Sequence, residues 1–131
     1  RELGVMTDAV SETVRLALDA FVNDNLESAM LVEPLEQVVD KLQKQIRTRH
    51  IDRLSRGLCS IEQGFVLSDI LTALERVSDH CSNIAGCVIE IRQNSMDMHS
   101  YLGEMKSGEN KLFNDHFKTF SAKFALPEKT A

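Results

Sequence analysis

The stretch LERVSDHCSNIA, residues 74–85, places two acids, a histidine, a thiol and an amide inside an apolar helical pattern. Glu75, Asp79 and Asn83 follow one another at intervals of four residues. On an α-helix this interval puts the three side chains on one face. The stretch therefore predicts a helix with one polar face, and that face either binds a ligand or is simply solvated.

The helical pattern extends from this stretch in both directions. Ser60 and Gln63 form a capping box, so the helix is expected to begin there and to continue to about Asn94. Eight apolar residues are predicted on its inner side: Phe65, Ile70, Leu74, Val77, Cys81, Ile84, Val88 and Ile91.

Two further amphipathic helices precede it. The first is predicted from about Leu3 to Asn23, because apolar residues recur every three to four positions. Asp24 and Glu27 match a second capping box, with Asp24 as the N-cap of a long helix that ends near Gly57. Short connections between long helices indicate antiparallel neighbours.

The C-terminal part is predicted as a helix or a broken helix. Met98, Leu102 and Met105 continue a helical spacing, and four phenylalanines then define a short helix: Phe113, Phe117, Phe120 and Phe124. Pro127 is expected to begin a disordered tail over residues 127–131. No window shows β-type alternation, so residues 1–126 are predicted to form one all-α, antiparallel up-down helical bundle.

Composition excludes several classes of function. The 131 residues carry a net charge of −5, which disfavours nucleic acid as a partner because phosphate binding needs a cationic surface. No apolar run approaches the roughly 20 residues needed to cross a bilayer, so no membrane insertion is expected. The three cysteines are an odd number without metal-binding spacing, and we expect them to be reduced thiols in the cytosol.

Two pairs of acids could carry chemistry. Glu36 with Asp40, and Glu75 with Asp79, each stand four residues apart, where like charges repel on an isolated helix. Four carboxylates would converge if the second and third helices brought the pairs face to face, and such clusters suit divalent or trivalent metal ions. The alternative is that solvent or nearby arginines neutralise these acids. Asn83 could orient Asp79 from a second shell.

An enzyme is not expected from this sequence. It contains no glycine-rich phosphate loop, no nucleophile elbow and no catalytic order of Ser, His and Asp. A ferritin-like carboxylate enzyme would need Glu-x-x-His motifs on facing helices, and Glu62, Glu75 and Glu90 all lack a histidine three residues later. A binding or structural role is therefore favoured.

The same stretch of residues 74–85 resembles the signature of the PhoU family, helical regulators of phosphate uptake. The family pattern is an acid, three residues, Asp, often His, and after a short gap Asn-Ile-Ala; residues 31–46, LVEPLEQVVDKLQKQI, resemble the second helix of the same repeat. Residues 50–85 are similar in particular to the PhoU-like cytoplasmic domain at the C-terminus of bacterial sodium/phosphate cotransporters.

The resemblance implies one three-helix repeat that can bind iron, manganese, magnesium or zinc. Its candidate metal ligands here are Glu36, Asp40, Glu75 and Asp79, with His80 and Asn83 in the second shell. It implies a non-enzymatic regulator of sodium-dependent phosphate uptake at the cytoplasmic face of the bacterial inner membrane, with the transporter's membrane domain as partner. Because the chain holds one repeat where a complete family member has two, a homodimer is expected. The alternative is a structural or oligomerisation bundle without metal.

Overall fold

The computed structural model of the protein describes residues 1–94, 111 and 113–128. Three long helices occupy the first of these ranges: α1 (Glu2–Val22), α2 (Leu26–Ser55) and α3 (Ile61–Asn94). A fourth helix, α4, covers residues 113–123. The predicted all-α fold and C-terminal helix are thus confirmed. The predicted helical spacing through Met98, Leu102 and Met105, and the last three residues of the predicted tail, lie outside the described residues.

The three long helices form an up-down bundle in which each contacts the other two. Hydrogen bonds between side chains show the register of α2 and α3. Ser82 donates to Glu33 at 2.7 Å near one end, and Arg47 donates to Ser68 at 3.0 Å near the other. Because residue numbers rise along α2 as they fall along α3, the two helices are antiparallel, as the short turns predict.

The start of α2 lies one residue later than its sequence predicts. Asp24, the predicted N-cap, has a left-handed backbone with φ of 51°, whereas an N-cap residue needs an extended one. Asn25 has the required conformation, and its side chain accepts the backbone N–H of Ser28 at 3.2 Å. The Asp24 cap is therefore wrong. The box at α3 is confirmed, since Gln63 N–H donates to Ser60 Oγ at 3.2 Å and Ser60 N–H to Gln63 Oε1 at 3.1 Å.

Helix α3 turns only part of its predicted inner side to the core. Its buried residues are Leu71, Ser78, Cys81, Ala85 and Val88, and Leu74 packs against them. Five residues predicted inside are instead exposed, by 38 to 69%: Phe65, Ile70, Val77, Ile84 and Ile91. The prediction is wrong for these five residues and correct for Leu74, Cys81 and Val88. Helix α3 carries two apolar stripes, and periodicity alone does not distinguish the stripe that meets α1 and α2 from the outer one.

Helix α4 and Phe124, the residue directly after it, complete the core. Phe120 and Phe124 are 9% and 5% exposed and belong to the same apolar cluster as the long helices. Phe117 is partly buried, and the ammonium of Lys41 on α2 lies 5.9 Å from the centre of its ring. The spacing of these phenylalanines therefore predicts the C-terminal helix correctly. Their contacts hold the described C-terminal residues against the bundle.

Candidate functional site

An acidic cavity of about 360 Å³ opens between α2 and α3. Its lining side chains come from both helices: Glu36, Thr72, Glu75, Arg76 and Asp79. The antiparallel register puts Glu36 level with the pair on α3, because the Glu33–Ser82 and Arg47–Ser68 bonds lie on either side of it. The structure thus brings three of the four predicted ligands to one place.

Glu36 is the carboxyl group most affected by this convergence. Burial raises its pKa to about 7, and the charges of Glu33, Asp40, Asp79 and Glu75 add to the rise. Loss of hydration and repulsion between carboxylates both disfavour the ionised form. Near neutral pH the cavity can therefore change its charge by one proton at Glu36.

Asp40, the fourth predicted ligand, stands outside the cavity. Its carboxylate is 3.1 Å from the ammonium of Lys44 and accepts a long bond of 3.5 Å from Gln43. The side chain is 41% exposed. Asp40 contributes charge to Glu36, but its own closest partner is a lysine one turn along the same helix.

The two residues predicted to support the ligands lie further out. His80 and Asn83 are both exposed on α3. In the part of the chain that the structure describes, neither side chain donates a hydrogen bond to the acids of the cavity. Their role as second-shell residues stays a prediction.

Several residues of the site were missed by sequence reasoning. Glu33 stands one turn before Glu36 and accepts the hydroxyl hydrogen of Ser82. On the other side of the cavity, Arg47 bridges the helices by donating to Thr72 at 3.2 Å as well as to Ser68. The spacing of Glu33 from Glu36 was visible in the sequence, but the cross-helix partners depend on the register of α2 and α3.

Comparison with known proteins identifies the family of this bundle. The sequence model of the PhoU domain matches residues 3–88. This chain belongs to the PhoU family. A relative from Thermotoga maritima, described as a phosphate-specific transport system accessory protein PhoU homolog, is 32% identical over 108 residues. The match covers 82% of this chain and 46% of the relative, so the chain spans about half of that protein's length. No solved structure gave a significant match.

The PhoU domain does not present a ready coordination shell for a metal ion. Among residues 1–94, 111 and 113–128, no three His, Cys, Asp or Glu side chains are grouped so that they could hold one. The donor chemistry nevertheless suits a hard cation, because carboxylate oxygens converge without enough positive charge to keep the pKa of Glu36 low. The side chains would have to move together to coordinate an ion.

Another polar cavity, of about 540 Å³, lies towards the C-terminal end of α2 and is rich in arginine. Arg49 and Arg53 donate to the two carboxylate oxygens of Glu2, at 2.7 and 3.0 Å, and Arg49 also donates to the carbonyl of Pro127 at 2.8 Å. Burial tends to raise the pKa of Glu2, but the hydrogen bonds and charges of the two arginines lower it overall. These contacts tie both ends of the described chain to α2.

None of the helices in the PhoU domain's described residues is long and apolar enough to cross a membrane. The three cysteines occupy different environments: Cys59 is partly buried, Cys81 is buried and Cys87 is exposed. Burial raises the pKa of the Cys81 thiol, which keeps it in the protonated form.

Proposed function

We propose that this PhoU domain is a non-enzymatic regulator of phosphate transport. In detail, it would act at the cytoplasmic face of the bacterial inner membrane, on the membrane domain of a sodium-dependent phosphate transporter. The family assignment supports the regulatory role, since the Thermotoga maritima relative is described as a transport accessory protein. The likeness of residues 50–85 to the cytoplasmic domains of sodium/phosphate cotransporters motivates the choice of transporter.

The observation that carries the proposal is the convergence of Glu36 on α2 with Glu75 and Asp79 on α3 in the acidic cavity, where burial and the neighbouring carboxylates raise the pKa of Glu36 to about 7. Repulsion between Glu36 on α2 and the pair Glu75 and Asp79 on α3 opposes close packing of the two helices. A proton on Glu36 relieves part of that repulsion. The distance between α2 and α3 can therefore change with the charge state of the cavity. A partner bound to either helix would be affected by that change.

A bound iron, manganese, magnesium or zinc ion would supply the positive charge that the carboxylates lack. Glu36, Glu75 and Asp79 are the residues that would hold it, and Asp40 would have to leave Lys44 to join them. His80 and Asn83 would assist from further out. This part of the proposal rests on the oxygen-rich donor set and the excess negative charge of the cavity.

A second candidate function is a structural or oligomerisation bundle whose acids are only solvated. Two observations favour it: the described residues contain no ready group of three metal ligands, and a broad apolar stripe of α3 lies exposed. The two candidates differ in whether the acids respond to a cation.

Metal content and metal titration of the purified chain separate the two candidates. Prepared without a metal-affinity tag, the parent should retain or take up one ion and gain thermal stability with added Mn²⁺. The Glu75→Ala/Asp79→Ala variant should do neither. Glu62→Ala/Asp69→Ala removes the same charge from exposed positions of α3 outside the cavity, so this control should behave like the parent. Metal-free parent protein that ignores added Mn²⁺ would support the structural bundle.

Phosphate uptake in cells tests the regulatory role directly. With Glu75→Ala/Asp79→Ala introduced into the native protein, uptake should change at unchanged protein levels, and the change should vanish when sodium is replaced by choline. Unchanged uptake would remove the acids from regulation. A change that persists without sodium would contradict the choice of transporter.

A further inference from the structure

The outer face of α3 carries a second apolar stripe with a repeat of seven residues. We call it the outer seam: Val66, Ile70, Ala73, Val77, His80, Ile84, Cys87 and Ile91. Spacings of three and four residues alternate along the whole seam, so it has the a and d positions of a coiled coil. All eight residues are exposed, and Val66 and Ile91 reach 59 and 67%.

The bundle itself does not use the outer seam. Helix α3 meets α1 and α2 through a different stripe, which includes Leu71, Ser78 and Ala85. A strict seven-residue repeat drifts by about 20° per heptad on a straight helix, so it matches a partner helix that winds around it. The seam therefore has the pattern of a helix–helix contact for which the chain supplies no partner in its described residues.

Charges beside the seam indicate what that partner is. Arg76, Asn83 and Glu90 are exposed on one flank and follow each other at intervals of seven residues. Asn83 is at the centre, with a positive side chain about 10 Å before it and a negative one about 10 Å after it along the helix. When two copies of α3 run antiparallel, the positive side chain on this flank of one copy lies opposite the negative side chain on the same flank of the other.

We propose that a second copy of this chain docks antiparallel along the outer seam, with the two-fold axis at Asn83. Arg76 of each copy then lies beside the other copy's Glu90, and Ile84 of both copies lies next to the axis. The contact is isologous, so each charge pair occurs twice. This inference uses neither a metal ion nor the transporter, and it rests on the same exposed stripe of α3 that favours the second candidate function.

The charges also select the register. Sliding the copies by half a heptad, so that nearly the full length of the seam overlaps, would move the axis between Asp79 and His80. Asp69 would then face the other copy's Glu90, and two acids would meet twice. Among the described residues of α3, the axis at Asn83 leaves Asp69 beyond the overlap and places opposite charges together instead. Arg76 also lines the acidic cavity, so a second copy would bring a further carboxylate to the cavity rim.

Charge reversal tests the proposal by sedimentation velocity on the whole chain over a range of concentrations. The parent should dimerise, and Arg76→Glu or Glu90→Arg alone should weaken the dimer by roughly tenfold, since each places like charges together twice. The double variant Arg76→Glu/Glu90→Arg should restore the parent's affinity. Ile84→Glu should give monomers with unchanged helical circular dichroism, because Ile84 is exposed in the isolated chain.

Matched controls lie on the same flank of α3. Glu62→Arg repeats the reversal of Glu90→Arg at a position beyond the overlap, so it should leave the dimer unchanged. Asp69→Lys should also have no effect, whereas it would tighten the dimer in the half-heptad register. A parent that stays monomeric would overturn the second copy as partner. Single reversals without effect, or a double variant weaker than either, would overturn the axis at Asn83.

Discussion

The acidic cavity and the arginine-rich cavity differ in how their charges are compensated. At one end of α2, Arg49 and Arg53 share the carboxylate of Glu2, whose pKa is lowered. Between α2 and α3, Glu36 stands among other carboxylates, and burial with their repulsion raises its pKa to about 7. The arginine cavity has its counter-charges built in, and the acidic cavity lacks enough of them.

This difference separates groups that stabilise the fold from groups that are available to something else. When one partner of a paired, partly buried charge is removed, the native state is destabilised because the other charge is left uncompensated. A carboxylate held among like charges destabilises the native state, and a proton, a cation or another chain can relieve it. The acidic cavity is therefore the better candidate for regulation, although the arginine cavity is larger.

The largest expected effect comes from breaking the arginine cavity. Arg49→Ala removes the bonds to Glu2 and to the carbonyl of Pro127, and it should lower the free energy of unfolding by about 2–3 kcal/mol. Urea denaturation measures this. Arg56→Ala removes an exposed arginine of the same cavity that lies 3.6 Å from Asp52, and it should cost less than about 0.5 kcal/mol. Equal losses would mean that pairing with Glu2 is not what distinguishes Arg49.

Removing charge from the acidic cavity should instead raise the free energy of unfolding. Glu36→Gln keeps the shape of the side chain and removes the repelled charge. At pH 8 it should raise the free energy of unfolding by about 1–2 kcal/mol, because solvent screens part of the repulsion that it removes. Glu62→Gln, at an exposed position of α3, is the control and should change little. A destabilised Glu36→Gln would show that the charge of Glu36 is compensated after all.

The pH dependence sharpens the same contrast. The folded chain keeps the proton of Glu36 up to about pH 7, whereas the unfolded chain releases it near 4.5. The folded state thus binds more protons than the unfolded state in this window. The contribution of Glu36 to the free energy of unfolding therefore falls as pH rises from about 4.5 to 7 and stays constant above pH 7. The stability difference between Glu36→Gln and the parent should grow over this window by the same about 1–2 kcal/mol. A pH-independent difference would contradict the raised pKa.

The smallest expected effect concerns the rim of the acidic cavity. Lys44→Ala removes the exposed partner of Asp40, and it should lower the free energy of unfolding by about 0.3–0.5 kcal/mol. Because the charge of Asp40 is then no longer compensated by Lys44, it should raise the pKa of Glu36 further. NMR titration of the Glu36 carboxyl carbon measures this change. Lys41→Ala is the comparison for this titration, since the ammonium of Lys41 on the same helix lies over the ring of Phe117. An unchanged Glu36 titration would show that Lys44 does not screen the cavity.

Much of this fold follows from local patterns that act within one helix. The Ser60–Gln63 box and the phenylalanines of α4 predict their helices correctly, because capping and helical spacing depend on residues only a few positions apart. The prediction of Asp24 as the N-cap is wrong because Asp24 and Asn25 are adjacent and both are favoured N-cap residues. Only the backbone conformation of the turn shows that Asn25 is the cap. The apolar pattern predicts the stripe with Ile84 on the inner side together with Leu74, Cys81 and Val88, because that stripe is as apolar and regular as the buried one.

By itself, the sequence determined the helices, the up-down order and the two acid pairs, since each depends on spacing along one helix or on short connections. Only the tertiary structure decided which stripe of α3 meets α1 and α2, that Glu36 joins Glu75 and Asp79 while Asp40 turns to Lys44, and that Glu2 pairs with Arg49 and Arg53. These are contacts between residues far apart in the chain. They depend on the rotation and register of packed helices, which no local spacing specifies.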